Sequence, residues 1–257
     1  MITKFEYFNN KGYEYIGEGI DIDKKNRLVK INLNHENGVD TSFLNNPTID
    51  DIDGIKVVSI FKRKKLKDES GDGNPLLYAL KNIEGWKISK FDIDILYKQF
   101  LKIIFKINDR YDTIIMTPSN NHLNNIFMDK LQKSIKCDNV ITNPFGKLDK
   151  DEVYYSCIDF SQLDDVDERR MEQSFKQMGD NFSFKHIPVD LRKYINKIYN
   201  DNYINDEVDD AVKINDKNIL ILDDTVASGS TISNMVKTIN QLYDPKSITV
   251  ITLFSKL

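Results

Sequence analysis

Asp223 and Asp224 stand side by side at the end of the apolar run Asn218-Ile219-Leu220-Ile221-Leu222, and Thr225-Val226-Ala227-Ser228-Gly229-Ser230-Thr231 follows at once. An apolar run, two acids, a loop of small and hydroxylated residues and then a helical pattern spell strand, acid pair, anion cradle and helix start. Backbone N–H groups of such a loop, with the positive end of the helix dipole behind them, hold a phosphate. Two carboxylates a few ångströms away accept hydrogen bonds from vicinal sugar hydroxyls. One segment can therefore grip both ends of a ribose 5-phosphate.

Simpler explanations account for less. Receiver domains also carry acids at a strand end, but near the start of the domain, whereas here only one further strand follows. A Walker A loop is excluded because no Gly-Lys-Ser/Thr occurs. An ordinary N-cap explains Ser228 or Ser230, but not the acid pair at fixed spacing before it.

The surrounding elements must position this loop. Ile93, Leu96, Tyr97, Phe100, Ile103, Ile104 and Ile107 recur at helical intervals, which predicts an amphipathic helix. Thr113-Ile114-Ile115-Met116 reads as a buried strand ending in Thr117-Pro118-Ser119-Asn120-Asn121-His122, with a helix from Leu123 to Ile135 and a strand at 139–142 behind it. Helix alternating with strand predicts an α/β fold with a doubly wound, mainly parallel sheet. Residues 143–168 lose periodicity and turn acidic, which predicts a long loop that is either disordered or a functional lid. A helix at 169–179, a strand at 182–187, a short helix at 191–199, a helix at 230–242 and a strand at 248–254 complete the series.

The first 85 residues read differently. Short β-rich runs at 5–8, 13–16, 28–33 and 55–61, punctuated by turns such as Asn37-Gly38, predict an antiparallel β region separate from the α/β unit at 86–257. The basic run Lys62-Arg63-Lys64-Lys65-Leu66-Lys67 reads first as a solvated strand end, with phosphate or nucleic-acid contact as the alternative. His122 is expected to be a loop hydrogen-bonder and His186 a packed strand residue.

The motif resembles the phosphoribosyl pyrophosphate (PRPP) motif of type I phosphoribosyltransferases: an apolar strand, two acids, two small or apolar residues, then a small residue, a hydroxylated residue, Gly, any residue and Thr. Asp223 to Thr231 fit it without insertion or gap. Within that family, residues 172–184 faintly resemble competence-protein-F-like members, though Gly179 and Asp180 stand where their Arg is expected.

The resemblance covers about residues 90–257. It implies a type I phosphoribosyltransferase sheet, with Asp223 and Asp224 on the ribose 2- and 3-hydroxyls, directly or through water on Mg²⁺. Thr225, Ala227, Ser228, Gly229, Ser230 and Thr231 would hold the 5-phosphate. Thr117, Pro118, Ser119 and Asn120 occupy the place of the loop that holds pyrophosphate, with an ordinary N-cap at Ser119 or Asn120 as the alternative, and 143–168 the place of the closing loop, where Lys147 and Lys150 are candidates but are first read as solvated surface residues. Mg²⁺ would neutralise the leaving pyrophosphate.

Departures narrow the acceptor. Members that use 6-oxopurines carry an Asp where this chain has Ala227, so the usual guanine or hypoxanthine salvage is not expected. No hood follows the last strand before Leu257, so the acceptor would meet the N-terminal β region or a partner. The expected activity is phosphoribosyl transfer from PRPP with pyrophosphate release. The alternatives are a non-catalytic sensor of PRPP or a nucleotide, and an effector of an anti-phage or toxin module. A homodimer, and a nucleic-acid or protein partner on the N-terminal region, stay open.

Composition sets outer bounds. In 257 residues, 40% hydrophobic content with 14 Phe and 12 Tyr supplies a sizeable core rather than a disordered chain. A net charge of −4 argues against bulk nucleic-acid coating. Cys137 and Cys157 show neither metal spacing nor a disulfide framework. No signal core or long apolar run occurs, so the expectation is a soluble, cytoplasmic protein without membrane partners.

Overall fold

The computed structural model describes residues 18–64, 74–107, 109–117, 126, 129–142, 144–200, 213–226 and 228–256. The chain is mixed α/β. Its main sheet is built of β3 (Val39–Asp40), β4 (Thr48–Ile52), β5 (Ile55–Arg63), β7 (Thr113–Met116), β8 (Asn139–Ile141), β9 (Asn218–Thr225) and β10 (Ser247–Phe254). The order across it is β3-β5-β10-β9-β7-β8, with β4 also on β5. The pairs β5–β10, β10–β9, β9–β7 and β7–β8 are parallel, while β3 and β4 lie antiparallel to β5.

Period-two alternation sorts the strand residues onto two cores. Val58, Ile60, Ile114, Leu220, Leu222 and Ile251 face the side covered by α1 (Pro75–Lys81) and α2 (Lys90–Ile104). Val57, Ile115, Ile219, Ile221 and Val250 face the side of α3 (Lys150–Ser156), α4 (Asp165–Lys176) and α5 (Ser230–Leu242). Burial on both faces explains why β9 and β7 read as unbroken apolar runs.

The β-rich N-terminal part does not stand apart from this unit. A three-stranded sheet of β1 (Gly19–Asp23), β2 (Leu28–Asn32) and β6 (Lys87–Ile88) shares a core with α1 and α2 through Ile20 and Val29. Beyond it, β5 runs inside the main sheet. Its stretch Val57–Phe61 is buried residue after residue, so it needs cover on both faces and finds it beside β10. The runs at 5–8 and 13–16 lie outside the described residues.

Two further expectations are corrected. Residues 143–168 are not a structureless lid. Asp149 and Glu152 form a capping box on α3, Asp164 caps α4 through the Val166 and Asp167 N–H groups, and Phe145, Val153 and Cys157 are buried. The acids read as loop composition are helix-starting residues. Residues 182–187 are not a strand, since Phe184–His186 is a 3-10 turn that leaves His186 exposed. A second 3-10 segment, Val189–Tyr194, replaces the helix expected at 191–199.

Candidate functional site

In open α/β sheets, ligands bind beyond the carboxyl ends of strands where the chain switches direction. Here β7 leads to β8 on one side, and the chain returns to β9 on the other side of β7. The switch point lies between the ends of β7 and β9, where Thr117 and Asp223 meet. The Thr117 N–H extends the pairing by donating to Leu222 O at 3.0 Å, and its hydroxyl donates to Asp223 Oδ1 at 2.9 Å.

The two acids occupy different surroundings. Asp224 is buried and follows Leu222 in the alternation towards the α1 side. There Lys81, the last residue of α1, places Nζ 2.7 Å from Asp224 Oδ2. Asp223 follows Ile221 towards the other core. Its Oδ1 also accepts the Asp224 N–H at 2.9 Å. Burial first, and the charge of Asp224 second, push its pKa up to about 7, against the Thr117 hydroxyl, the Asp224 N–H and Lys81. It therefore gives up its proton less readily than an ordinary aspartate.

Tyr199 lies on this second side. Residues 145–148 pair with 198–200 through Leu148 N–H to Ile198 O at 3.0 Å and Asn200 N–H to Gly146 O at 2.9 Å. That pairing sets Lys147 against Tyr199. The Tyr199 hydroxyl is fully buried and has no hydrogen-bond partner among the described residues. Burial raises its pKa and the charge of Asp223 raises it further. Burial around the Lys147 ammonium lowers its pKa, Asp223 opposes that, and Lys185 reinforces it. Lys150 turns away, donating to Met178 O at 3.3 Å.

The cradle begins at Thr225, whose Oγ1 is likewise buried without a partner among the described residues. Arg63 supports the next residue from below. Its buried guanidinium donates to Val226 O at 2.7 Å and to Ser255 O at 2.5 Å. It is therefore neither a solvated strand end nor a phosphate contact. Lys64 pairs with Glu36 at 2.7 Å, and Lys65 and Lys67 lie outside the described residues.

Gly229 is the N-cap of α5 with φ +80°. A Cβ there would stand 2.7 Å from Ile52 Cγ2. Glycine thus serves twice, in a left-handed backbone and under the β4–β5 hairpin. It has no side chain to cap α5, and Ser228 takes part of that duty, with its Oγ 3.4 Å from the Ser230 N and 2.8 Å from Ser230 Oγ. Thr231 sits in the first turn of α5. Arg192, from the 3-10 segment Val189–Tyr194, donates to Ser228 Oγ at 3.0 Å.

Among the expected site residues, Thr117, Asp223, Asp224, Thr225, Ser228, Gly229, Ser230 and Thr231 fall at the carboxyl ends of β7 and β9 or in the loop and helix start behind β9. Pro118, Ser119, Asn120, Ala227 and His122 lie outside the described residues. Lys81, Arg192 and Tyr199 were not expected, and nothing in their local spacing marks them, because each arrives from a distant segment; Arg63 was expected only as part of the basic run. No group of three His, Cys, Asp or Glu side chains converges as a metal cage among the described residues. Among those residues no helix is long and apolar enough to cross a membrane. Compared with known proteins, the chain matches no family model and no curated protein.

Proposed function

We propose that the chain binds PRPP, or a nucleotide carrying ribose 5-phosphate, at this switch point and transfers phosphoribosyl to an acceptor with release of pyrophosphate. This reading takes the α/β unit as a type I phosphoribosyltransferase sheet. The observation that carries it is the continuity of acid pair, Gly229 turn and α5 start on one loop, with Thr117 of the neighbouring strand bonded to Asp223.

Each residue then has a task. Asp224, held by Lys81, accepts from one ribose hydroxyl. Asp223, held by Thr117, meets the other. As the bond from ribose C1 to pyrophosphate lengthens, positive charge spreads on the ring, and the carboxylates beside it lower the barrier by fixed electrostatics. The Ser228–Thr231 turn holds the 5-phosphate. Thr117 holds Asp223 in place at the pyrophosphate side.

The acids fit Mg²⁺ through water better than directly, because Lys81 already occupies Asp224 Oδ2 and Asp223 is partly neutral. Mg²⁺ keeps several waters and is commonly held by one or two carboxylates plus substrate phosphates. When bound, it supplies charge neutralisation to the leaving pyrophosphate.

A screen for pyrophosphate release from PRPP with Mg²⁺, over nucleobases and nucleotides, tests the reaction. Release with one acceptor class supports transfer; binding without release selects the sensor reading. That second reading has its own support in the Lys81–Asp224 pair. A sugar that engages Asp224 competes with Lys81, and α1 would carry the change to the β1-β2-β6 sheet.

A further inference from the structure

On the α1–α2 face of the sheet, near the carboxyl ends of β5 and β10, lies a groove of about 160 Å³. Phe61 of β5 and Leu253 of β10 meet Leu80 of α1 and Tyr97 and Phe100 of α2 there. Ile93 and Ile126 stand at its lip, 40% and 44% exposed. The groove adjoins the acid pair. Thr252 pairs with Asp223 and Phe254 with Thr225, so Leu253 stands level with Asp224 on the same face. Leu80 precedes Lys81, whose ammonium holds Asp224.

The lining decides what fits. Apolar walls penalise a charged guest, and the exposed Asp94 at the lip repels an anion further. Lys130, the cation of the lining, is seated over the Tyr97 ring, 4.4 Å from its centroid. Tyr97 and Phe100 stack at 6.2 Å and 20°, and Phe61 adds a third ring. A guest ring meeting such partners gains roughly threefold to tenfold in affinity over an aliphatic guest of like area. The volume suits one ring, since a dry cavity of about 150 Å³ lined by Leu, Ile and Phe takes up benzene. At the lip, Asp94 can accept from an N–H and Lys130 can donate to a carbonyl.

We propose that this groove is a binding site for a neutral, single-ring aromatic molecule with an N–H and a C=O at one edge, separate from the sugar phosphate site and adjoining it at Asp224. The ring lies among Phe61, Tyr97 and Phe100, and the polar edge faces Asp94 and Lys130. The site stands on its own lining and does not require that PRPP be the ligand of the β9–α5 loop.

The test is ligand-observed NMR titration of the full chain with three probes: benzamide, cyclohexanecarboxamide and benzoate. Benzamide should bind at one site with a Kd on the order of 1 mM, as suits a ligand of its size. Cyclohexanecarboxamide, with the same polar edge and no aromatic ring, should bind at least about threefold more weakly. Benzoate, which replaces the N–H by a charge, should bind at least about tenfold more weakly. Ile93→Trp, which fills the groove from its exposed lip, should weaken benzamide at least about tenfold. Tyr97→Leu should remove most of the preference for the aromatic probe, and Ile93→Trp carries the test if that variant fails to fold. Equal binding of benzamide and cyclohexanecarboxamide, tighter binding of benzoate, or benzamide binding that the folded Ile93→Trp variant leaves unchanged would each overturn the proposal. Absence of benzamide binding overturns it too, and a dimer in sedimentation that Ile93→Trp dissociates would then make the groove an interface between copies of the chain. Titration of Mg²⁺-PRPP into the same sample reads the function proposed above separately, so either can fail alone.

Discussion

Asp223 and Asp224 are neighbours in the chain, and the sheet divides their surroundings. On the α1 side, Asp224 meets an ammonium at 2.7 Å in a mostly buried pair. On the other side, Asp223 meets a hydroxyl and an N–H, with the buried Tyr199 hydroxyl, which has no partner among the described residues, close enough to feel its charge. Two identical side chains thus become one paired with an ammonium and one whose pKa burial raises. Strand alternation alone does this, since successive residues of β9 belong to opposite cores.

The contrast is broken most strongly on the α1 side. Lys81→Met leaves Asp224 a buried charge without its ammonium and should lower stability by about 2–3 kcal/mol, somewhat under the usual cost for a fully buried pair. Asp224→Asn in the same chain should restore much of that loss, and a double-mutant cycle by denaturant unfolding reads the coupling. Additive losses would mean that the pair contributes nothing as a pair.

Asp223 should respond with the opposite sign and through pH. Its pKa in the folded chain lies above the ordinary 3.8, so the folded state holds that proton more tightly than the unfolded one. Stability from this group is present below pH 3.8 and is lost as pH rises towards about 7. Asp223→Asn, which keeps an oxygen for Thr117 and the Asp224 N–H, should therefore stabilise the unliganded protein at pH 8 by about 1–2 kcal/mol. The gain should fade towards pH 4, and melting curves across that range check it. A pH-independent effect would place Asp223 outside the buried environment described.

The smallest effect sharpens the comparison. Tyr199→Phe removes a buried hydroxyl with no partner among the described residues and should leave stability unchanged or raise it by about 0.5–1 kcal/mol. A destabilised Tyr199→Phe would show that the hydroxyl already has a partner.

What the sequence made legible follows the same physics. β7, β9, α5 and β10 could be read because a doubly covered strand is an unbroken apolar run and a packed helix keeps a strict period. The acid pair and cradle could be read because their chemistry is contained in one loop. β5 was read as part of a separate antiparallel region, although its continuous run Val57–Phe61 carries the mark of a doubly covered strand. Asp149 and Asp164 were read as loop acids because a cap and a loop use the same residues. Lys81, Tyr199 and Arg192 had no local signal, since only the finished topology brings α1, residues 198–200 and the Val189–Tyr194 segment to one point.

The central claim is that the β9–α5 loop encloses a sugar phosphate, and titration calorimetry of Mg²⁺-PRPP into the wild-type chain and the double variant Asp223→Asn with Asp224→Asn tests it most directly. The account predicts saturable one-site binding to the wild type and a loss of about 100-fold or more in the folded double variant, as two hydroxyl contacts to carboxyl groups are weakened together. Equal affinity in the two proteins, or no saturation in the wild type, would contradict it.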